Sequence, residues 1–529
     1  MTNQRARTLA LVQVLTLLVA VTLRGSALDW GAPYLYHPDE HYIVHPALNM
    51  VREGTLNPHW FMYPSLLIYA EAGIVAASHP FIAAPLTSDP AVNRVGAWDI
   101  APAQWPYALA GRWMVVTFAV LGVWLLYRAA MSYGGAPVGV AAALFLVSAA
   151  LHNESSHYLT TDVPATTLLT AALLFSVQGP AMRRLAAAGV CAGLAAATKY
   201  TAGIVLLVPL GAALAGSWRL VGRRWLVIVA AAAAGFLTTC PYAVLDCAAF
   251  GRDLLQQEQH YLAGNAAGSN WRWYLGYLYT TGLGRPLAVA SAAGLIASLM
   301  LSLHCLRRVA SRRSLPTIDP VGNRAAQPGP LTLVLCVVPL VYFAIVCSYA
   351  YRAERNLLLL LPFLCLLDAE VCWRAVRRVL PERAAMGGFA VVVLLIAAPG
   401  IYSCVRQNQL LARPDTRTLA LEWIDANVAP GSRIAREEYT PQVSGDRYDV
   451  TYAWSLSSHD YSWYLSEKID YLVLSSNVYG RALAPPFVAG ATGAAFYTFV
   501  FQHLPQEVEI GPAADRQGPT IRVYQVPHG

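Results

Sequence analysis

Over roughly its first four hundred residues the chain alternates long apolar runs with short polar links, and the runs are apolar on every face. That pattern predicts helices surrounded by apolar matter, not amphipathic helices lying on a soluble core. A bilayer-crossing helix needs about 20 apolar residues at 1.5 Å rise, fewer where flanking side chains snorkel. Spans are predicted at 8–24, 110–128, 138–152, 163–177, 185–197, 201–215, 225–240, 286–304, 331–349, 356–371 and 386–403. The break at Thr198-Lys199-Tyr200-Thr201 fits two spans or a re-entrant hairpin, and both leave the parity of crossings unchanged. One long helix there would carry Arg223 and Arg224 across the membrane. The loop at about 25–109 holds a further apolar stretch, 63–77, with Glu71 inside it and Pro64 near its start. It is expected to lie along the interface.

After residue 403 the pattern changes. Asp415 or Thr416 can cap a helix carrying Leu419, Trp423 and Ile424 on one face, ending before Pro430-Gly431. Strand-like runs follow at 432–435, 469–474 and 520–526. The expected architecture is a mainly α polytopic membrane protein of about 11 transmembrane helices over 1–403, with a small extracytoplasmic α/β domain over 404–529.

Composition removes the soluble classes: 56% of residues are hydrophobic and 13% charged, where a soluble domain carries about a quarter. The net charge of +7 (37 minus 30) needs no nucleic-acid partner, because the arginines sit in the short links. Arg5, Arg7, Arg128, Arg183-Arg184, Arg219, Arg223-Arg224, Arg307-Arg308, Arg312-Arg313, Arg374 and Arg377-Arg378 all fall on one side. By the positive-inside rule that side is the cytoplasm. The amino terminus is then inside and the last domain outside an inner (cytoplasmic) membrane. Arg5 and Arg7 ahead of an apolar run resemble a signal peptide. No small-residue cleavage site follows, so the first helix is expected to stay. Of the nine cysteines most lie in apolar spans, and Cys240 and Cys247 are not expected to bridge.

Candidate chemistry begins just past the first span, in His37-Pro38-Asp39-Glu40-His41-Tyr42-Ile43-Val44-His45. Pro38 at a first helical position with acids behind it reads as a helix start, which would put Asp39 and Glu40 at a positive helix end. They either cap that helix or do chemistry. His37, His41 and His45 recur every four residues, so on a helix they share a face. With either acid they could bind zinc or another divalent ion, although such spacings also arise by chance.

Further signatures follow in order: Asn57-Pro58, Tyr63-Pro64-Ser65-Leu66, Gly111-Arg112, Thr161-Asp162-Val163-Pro164, Thr198-Lys199-Tyr200-Thr201, and Glu354-Arg355-Asn356 leading to Leu361-Pro362. With the acidic pair, this series resembles the GT-C superfamily of membrane glycosyltransferases. The protein O-mannosyltransferases and the bacterial aminoarabinose and galacturonate transferases that modify lipid A are the nearest in motif. Ser65 stands where a second proline is common in that family.

The resemblance implies an inverting transfer from a polyprenyl-phosphate sugar to an acceptor hydroxyl on a glycan, lipid or protein, on the outer membrane face. Asp39 would be the general base. Glu40 would orient Asp39 or the acceptor, and Asp162 is a second acid that equally reads as a helix cap. Arg355, then Lys199 and Arg352, are the cations expected to hold the phosphate. Snorkelling to lipid headgroups is the plainer reading of Arg352 and Arg355, and Arg112 and Arg285 are weaker candidates. Tyr63, Tyr200 and His260 are candidate sugar or lipid contacts, as are Tyr261 and Trp271-Arg272-Trp273-Tyr274. Aromatics at a membrane edge also form interface belts. No cofactor follows with certainty, and a divalent metal is an option because the histidines could hold one. The rivals are a transporter or lipid-linked-glycan flippase, or an oligosaccharide ligase of the same fold. A transporter should carry mid-membrane charges and a two-fold repeat of hydropathy. Here the charges gather at one face.

Overall fold

The computed structural model describes residues 3–82, 84–86, 99–215, 218–263, 268–311, 330–483 and 491–528. Arg312 and Arg313, part of the predicted basic link, lie outside them. The chain forms two compact units. The first joins Met1–Ser26, Asn57–Ala70 and Arg112–Arg406; the second joins Ala27–Leu56, Glu71–Gly111 and Gln407–Gly529. This division differs from the expected cut at 403. Most of the segment expected to form the first outer loop clusters with the tail.

The first unit is helical. Its helices include Asn3–Gly25, Ala136–Ser148, Asp162–Val177, Met182–Ala196, Val221–Thr239, Arg285–Ser311, Pro330–Ser348 and Leu361–Val379. Among the described residues seven helices are long and apolar enough to cross a membrane. Four more apolar helices are shorter: Leu66–Ser78, Ala136–Ser148, Asp162–Val177 and Tyr200–Ala212. The count of eleven spans is therefore not established by helix length, and Met182–Ala196 belongs to neither group.

Around Lys199 the helix does break. Lys199 is extended (φ −148°, ψ 119°) between Met182–Ala196 and a 3-10 turn at Tyr200–Leu206, so the single-long-helix alternative fails. Helix Met182–Ala196 lies backbone to backbone against Val221–Thr239. A Cβ on Gly193 would stand 2.0 Å from the Ala232 carbonyl oxygen, and one on Gly235 2.6 Å from that of Val190. Small residues permit such approach where lipid supplies no hydrophobic drive between helices.

The second unit carries a five-stranded sheet in the order β2-β1-β3-β5-β4, made of β1 Arg433–Glu437, β2 Asp449–Ala453, β3 Tyr471–Ser475, β4 Gln506–Ile510 and β5 Ile521–Gln525. β1 runs parallel to β2 and β3, while β5 runs antiparallel to β3 and β4. The period-two alternation sends Leu472 and Leu474 to one apolar core and Val473 to another. Helix Thr416–Asn427 covers the Val473 face through Ala420, Leu421 and Ile424. Helix Ala491–His503 covers the other through Phe496, Tyr497 and Val500. Tyr34, from the segment after the first helix, packs on the Val473 core. The preceding helix Glu382–Leu411 runs past the predicted end at 403. All nine cysteines are free thiols.

Candidate active site

In the second unit the helix after the acidic pair is His41–Glu53, so Pro38, Asp39 and Glu40 precede it instead of forming its first turn. They make a hydrogen-bonded turn: the Glu40 N–H donates to the His37 carbonyl (3.3 Å) and the Tyr42 N–H to the Asp39 carbonyl (3.2 Å). The turn displaces the helix start because His37 Nδ1 accepts from the Asp39 N–H (3.2 Å). Side chains that bond nearby backbone compete with helix in this way. Glu40 stands at the N-cap without a side-chain cap bond. Both acids are buried, Asp39 at 8% exposure and Glu40 at 0%. Burying two carboxylates is expensive, which argues against a purely decorative cap.

His41 lies inside the helix and burial, reinforced by His45, pushes its imidazole down to about 3. It is neutral at any physiological pH. His37 sits outside the helix, so the three histidines lose the shared face predicted for them. Among the described residues no group of three or more His, Cys, Asp or Glu side chains is placed to hold a metal ion.

The first unit gathers three of the predicted residues and one that was not singled out. Asp162 opens helix Asp162–Val177, and its carboxylate is engaged from outside that helix. The Lys199 ammonium donates to Asp162 Oδ1 at 2.5 Å and to Asn356 Oδ1 at 2.8 Å. Arg355 Nε stands 3.9 Å from Asp162 Oδ2. Lys199 reaches Asp162 because the helix breaks beneath it. Asn356 and Arg355 are presented by the 3-10 turn Glu354–Leu360, with the Asn356 carbonyl fixed by the Tyr342 hydroxyl at 2.9 Å. Among the described residues the Asn356 Nδ2 makes no close hydrogen bond. Two cations thus gather at the Asp162 carboxylate, a grouping of the kind that can bind an anion. Asn356 could have been found as the neighbour of Arg355 in the quoted motif; its pairing with Lys199 carries no sequence signal.

The other candidates brace the same unit. The Tyr200 hydroxyl donates to the Phe61 carbonyl at 2.8 Å. Nearby, the Phe61 N–H donates to Asp253, Asn57 to Asp246, and the Leu66 N–H to the Ala197 carbonyl. The proline-containing stretch is thereby stitched to both ends of the Lys199 break. Tyr63 sits edge-on to Trp60. Arg352 Nε donates to Asn270 Oδ1 (2.8 Å), and its guanidinium covers the Trp273 ring at 5.4 Å. His260 packs against Tyr351, and the Tyr261 carbonyl accepts from the Ala350 and Tyr351 N–H groups. Arg352 and His260 thus share the loop entering the 3-10 turn, while Lys199 and Arg355 share Asp162.

A cavity of about 560 Å³ opens in the first unit among Leu275, Leu278, Ala292, Leu295, Leu340 and Phe343. Its lining is almost wholly apolar. Ser291 on its wall donates to Asp368, a buried carboxylate that sequence reading passed over.

Residues 107–245 match the family model described as dolichyl-phosphate-mannose-protein mannosyltransferase. Among solved structures the chain is similar to the archaeal oligosaccharyltransferase AglB from Archaeoglobus fulgidus, in complex with an inhibitory peptide and a dolichol-phosphate. That match has a TM-score of 0.57 at 11% identity and covers 91% of this chain and 71% of that one. It is also similar to ArnT from Cupriavidus metallidurans bound to undecaprenyl phosphate, with a TM-score of 0.54 at 13% identity over 99% and 98% of the two chains. Comparison with curated protein sequences finds no significant match. Span-length apolar helices, the small terminal sheet and these likenesses together identify a polytopic membrane protein with the GT-C fold of the membrane glycosyltransferases and oligosaccharyltransferases.

Proposed function

We propose that this protein is an inverting glycosyltransferase that moves one sugar from a polyprenyl-phosphate donor to an acceptor hydroxyl on the extracytoplasmic face of the inner membrane. The observation that carries the reading is the buried Lys199–Asp162–Asn356 cluster with Arg355 beside it. In the reaction the acceptor oxygen bonds to the anomeric carbon as the bond from that carbon to the phosphate oxygen breaks. The acceptor proton passes to the Asp39 carboxylate, and polyprenyl phosphate leaves with one more negative charge than it carried in the donor. Lys199 and Arg355 supply the cations for that developing charge, and the Asn356 Nδ2 a further donor. Glu40 orients the base. The apolar cavity suits a polyprenyl tail. The dolichol-phosphate of the AglB structure and the undecaprenyl phosphate of the ArnT structure support the donor class. No metal is assigned, because the described residues offer no cluster to hold one.

The test is deletion of the gene followed by mass spectrometry of envelope lipids, glycans and glycoproteins. One sugar should disappear from one acceptor while its polyprenyl-phosphate donor accumulates outside. Donor retained on the cytoplasmic face would favour the flippase reading, and loss of a whole oligosaccharide the ligase reading.

A further inference from the structure

Arg417 is a buried cation that the proposed reaction leaves unused. It is 6% exposed and sits in the first turn of helix Thr416–Asn427. A cation there opposes the helix dipole, which favours anions at that end, and burying a guanidinium adds a desolvation cost. Its placement therefore calls for a reason outside the helix.

That reason is visible in its contacts. Nε and Nη2 donate to the two oxygens of Asp415 at 2.8 and 3.0 Å, a fork that fixes the guanidinium plane. The remaining arm, Nη1, donates at 2.7 Å to the backbone carbonyl of Tyr36. The guanidinium carbon lies 4.1 Å from the Tyr36 ring centroid and 5.6 Å from that of Trp30. The Tyr36 hydroxyl pairs with Thr418 Oγ1 at 3.0 Å, so the same helical turn holds this residue at both ends. Tyr36 stands three positions before Asp39. Pro38 and His41 line a small polar cavity with Tyr36, Asp99, Arg417 and Arg436, and Arg436 from β1 is paired with Asp99. All of these residues belong to the second unit.

We infer that Arg417 is a positioning residue: by clamping the Tyr36 carbonyl and ring it sets where the Asp39 turn stands. The inference rests on Asp39 being the base. Misplacing a catalytic group by about 1 Å costs on the order of 10²-fold in rate, so a turn released from its clamp should lose turnover while the fold survives.

The experiment uses the full-length protein and two readouts. Hydrogen exchange in detergent needs no donor: Arg417→Met should speed exchange of the turn amides of Tyr42 and Ile43 by roughly tenfold or more, with the β3 amides unchanged. In the deletion strain, the rate of restoring the missing sugar should fall by roughly 10- to 100-fold. Arg417→Lys keeps a donor for the Tyr36 carbonyl but not the fork or the planar stacking, and should recover part of both. If Arg417→Met also loosens β3, the lysine variant decides: faster exchange confined to the turn supports the clamp, and wild-type exchange overturns it. A loosened turn with full sugar transfer overturns the positioning role and leaves the base assignment standing. Full transfer by Asp39→Asn removes the base assignment, and the positioning inference with it, whatever the exchange data show.

Discussion

Lys199 donates to Asp162 at 2.5 Å across 37 positions of chain, and both side chains are almost wholly buried. Breaking one side of a buried pair leaves an uncompensated charge and costs about 3–5 kcal/mol, whereas removing both charges is far milder. Lys199→Met should therefore lower thermal stability sharply, and Lys199→Met with Asp162→Asn should restore much of it. Sugar transfer should not return in the double variant, because the phosphate has lost a cation. Recovery of stability and transfer together would reduce the pair to a structural role.

For Arg355, 26% exposed at its side chain and 3.9 Å from Asp162, the competing roles are phosphate binding and lipid snorkelling. Arg355→Ala should leave insertion and expression intact and raise the donor concentration needed for half-maximal transfer. Lysine should rescue only in part, since an ammonium cannot make two parallel bonds to phosphate. Unchanged donor dependence in the alanine variant would return Arg355 to snorkelling.

The membrane body was legible because apolar blocks of span length have few alternative explanations, and the Lys199 break announced itself by a charge among apolar residues. The sheet was legible only at its centre. β3 reads as an apolar run, and β1 and β5 carry Ile434-Ala435 and Val523-Tyr524 at their buried centres, while the edge strands β2 and β4 are mostly exposed or half-buried. Their sequences, Asp449–Ala453 and Gln506–Ile510, give only weak alternation. The helix at His41 was placed too early because a local bond, His37 Nδ1 to the Asp39 N–H, competes with helix and leaves no composition signal. Nor could spacing reveal that Tyr36 and Arg417, 381 positions apart, are bonded. Long-range pairing of ordinary residue types is what a single sequence hides.

Topology has a direct test. In a cysteine-free background, Ser458→Cys in the terminal domain should react with a membrane-impermeant maleimide added to intact spheroplasts. Arg307→Cys should react only after permeabilisation. Both positions are exposed, so protection reports the membrane and not burial. The reverse pattern would invert the orientation and move the reaction to the cytoplasmic face.

Glu437 in β1 supplies a pH dependence unrelated to catalysis. Burial pushes its carboxyl up to about 7 from 4.5, although the Ser475 and Leu456 N–H groups and the Tyr497 hydroxyl all donate to it. Between those values the folded domain holds a proton that the unfolded chain has released. The stabilising contribution is thus complete below about pH 4.5 and is lost as pH rises through about 7. Opening of the β3 amides, corrected for intrinsic exchange, should become easier over that window. Glu437→Gln should flatten the dependence while lowering overall stability, because its amide nitrogen must face a donor. An equally steep profile in the glutamine variant would assign the pH dependence elsewhere.

Asp39 is where the catalytic and structural readings separate most cleanly. The carboxylate is buried in a turn held by backbone bonds, the Glu40 N–H to the His37 carbonyl and the Tyr42 N–H to the Asp39 carbonyl, and asparagine has nearly the same shape, so Asp39→Asn keeps the turn. Asparagine still accepts a hydrogen bond and is among the best capping residues. It cannot take a proton from an attacking hydroxyl. If Asp39 is the base, transfer of the missing sugar should fall by roughly 10²-fold or more, the scale of general-base loss, with little change in thermal stability. Glu40→Gln should cost less, since orientation survives the loss of charge better than proton transfer does. The order of the two effects matters as much as their size. A larger loss for Glu40→Gln would exchange their roles, and full complementation by Asp39→Asn would remove the base assignment altogether.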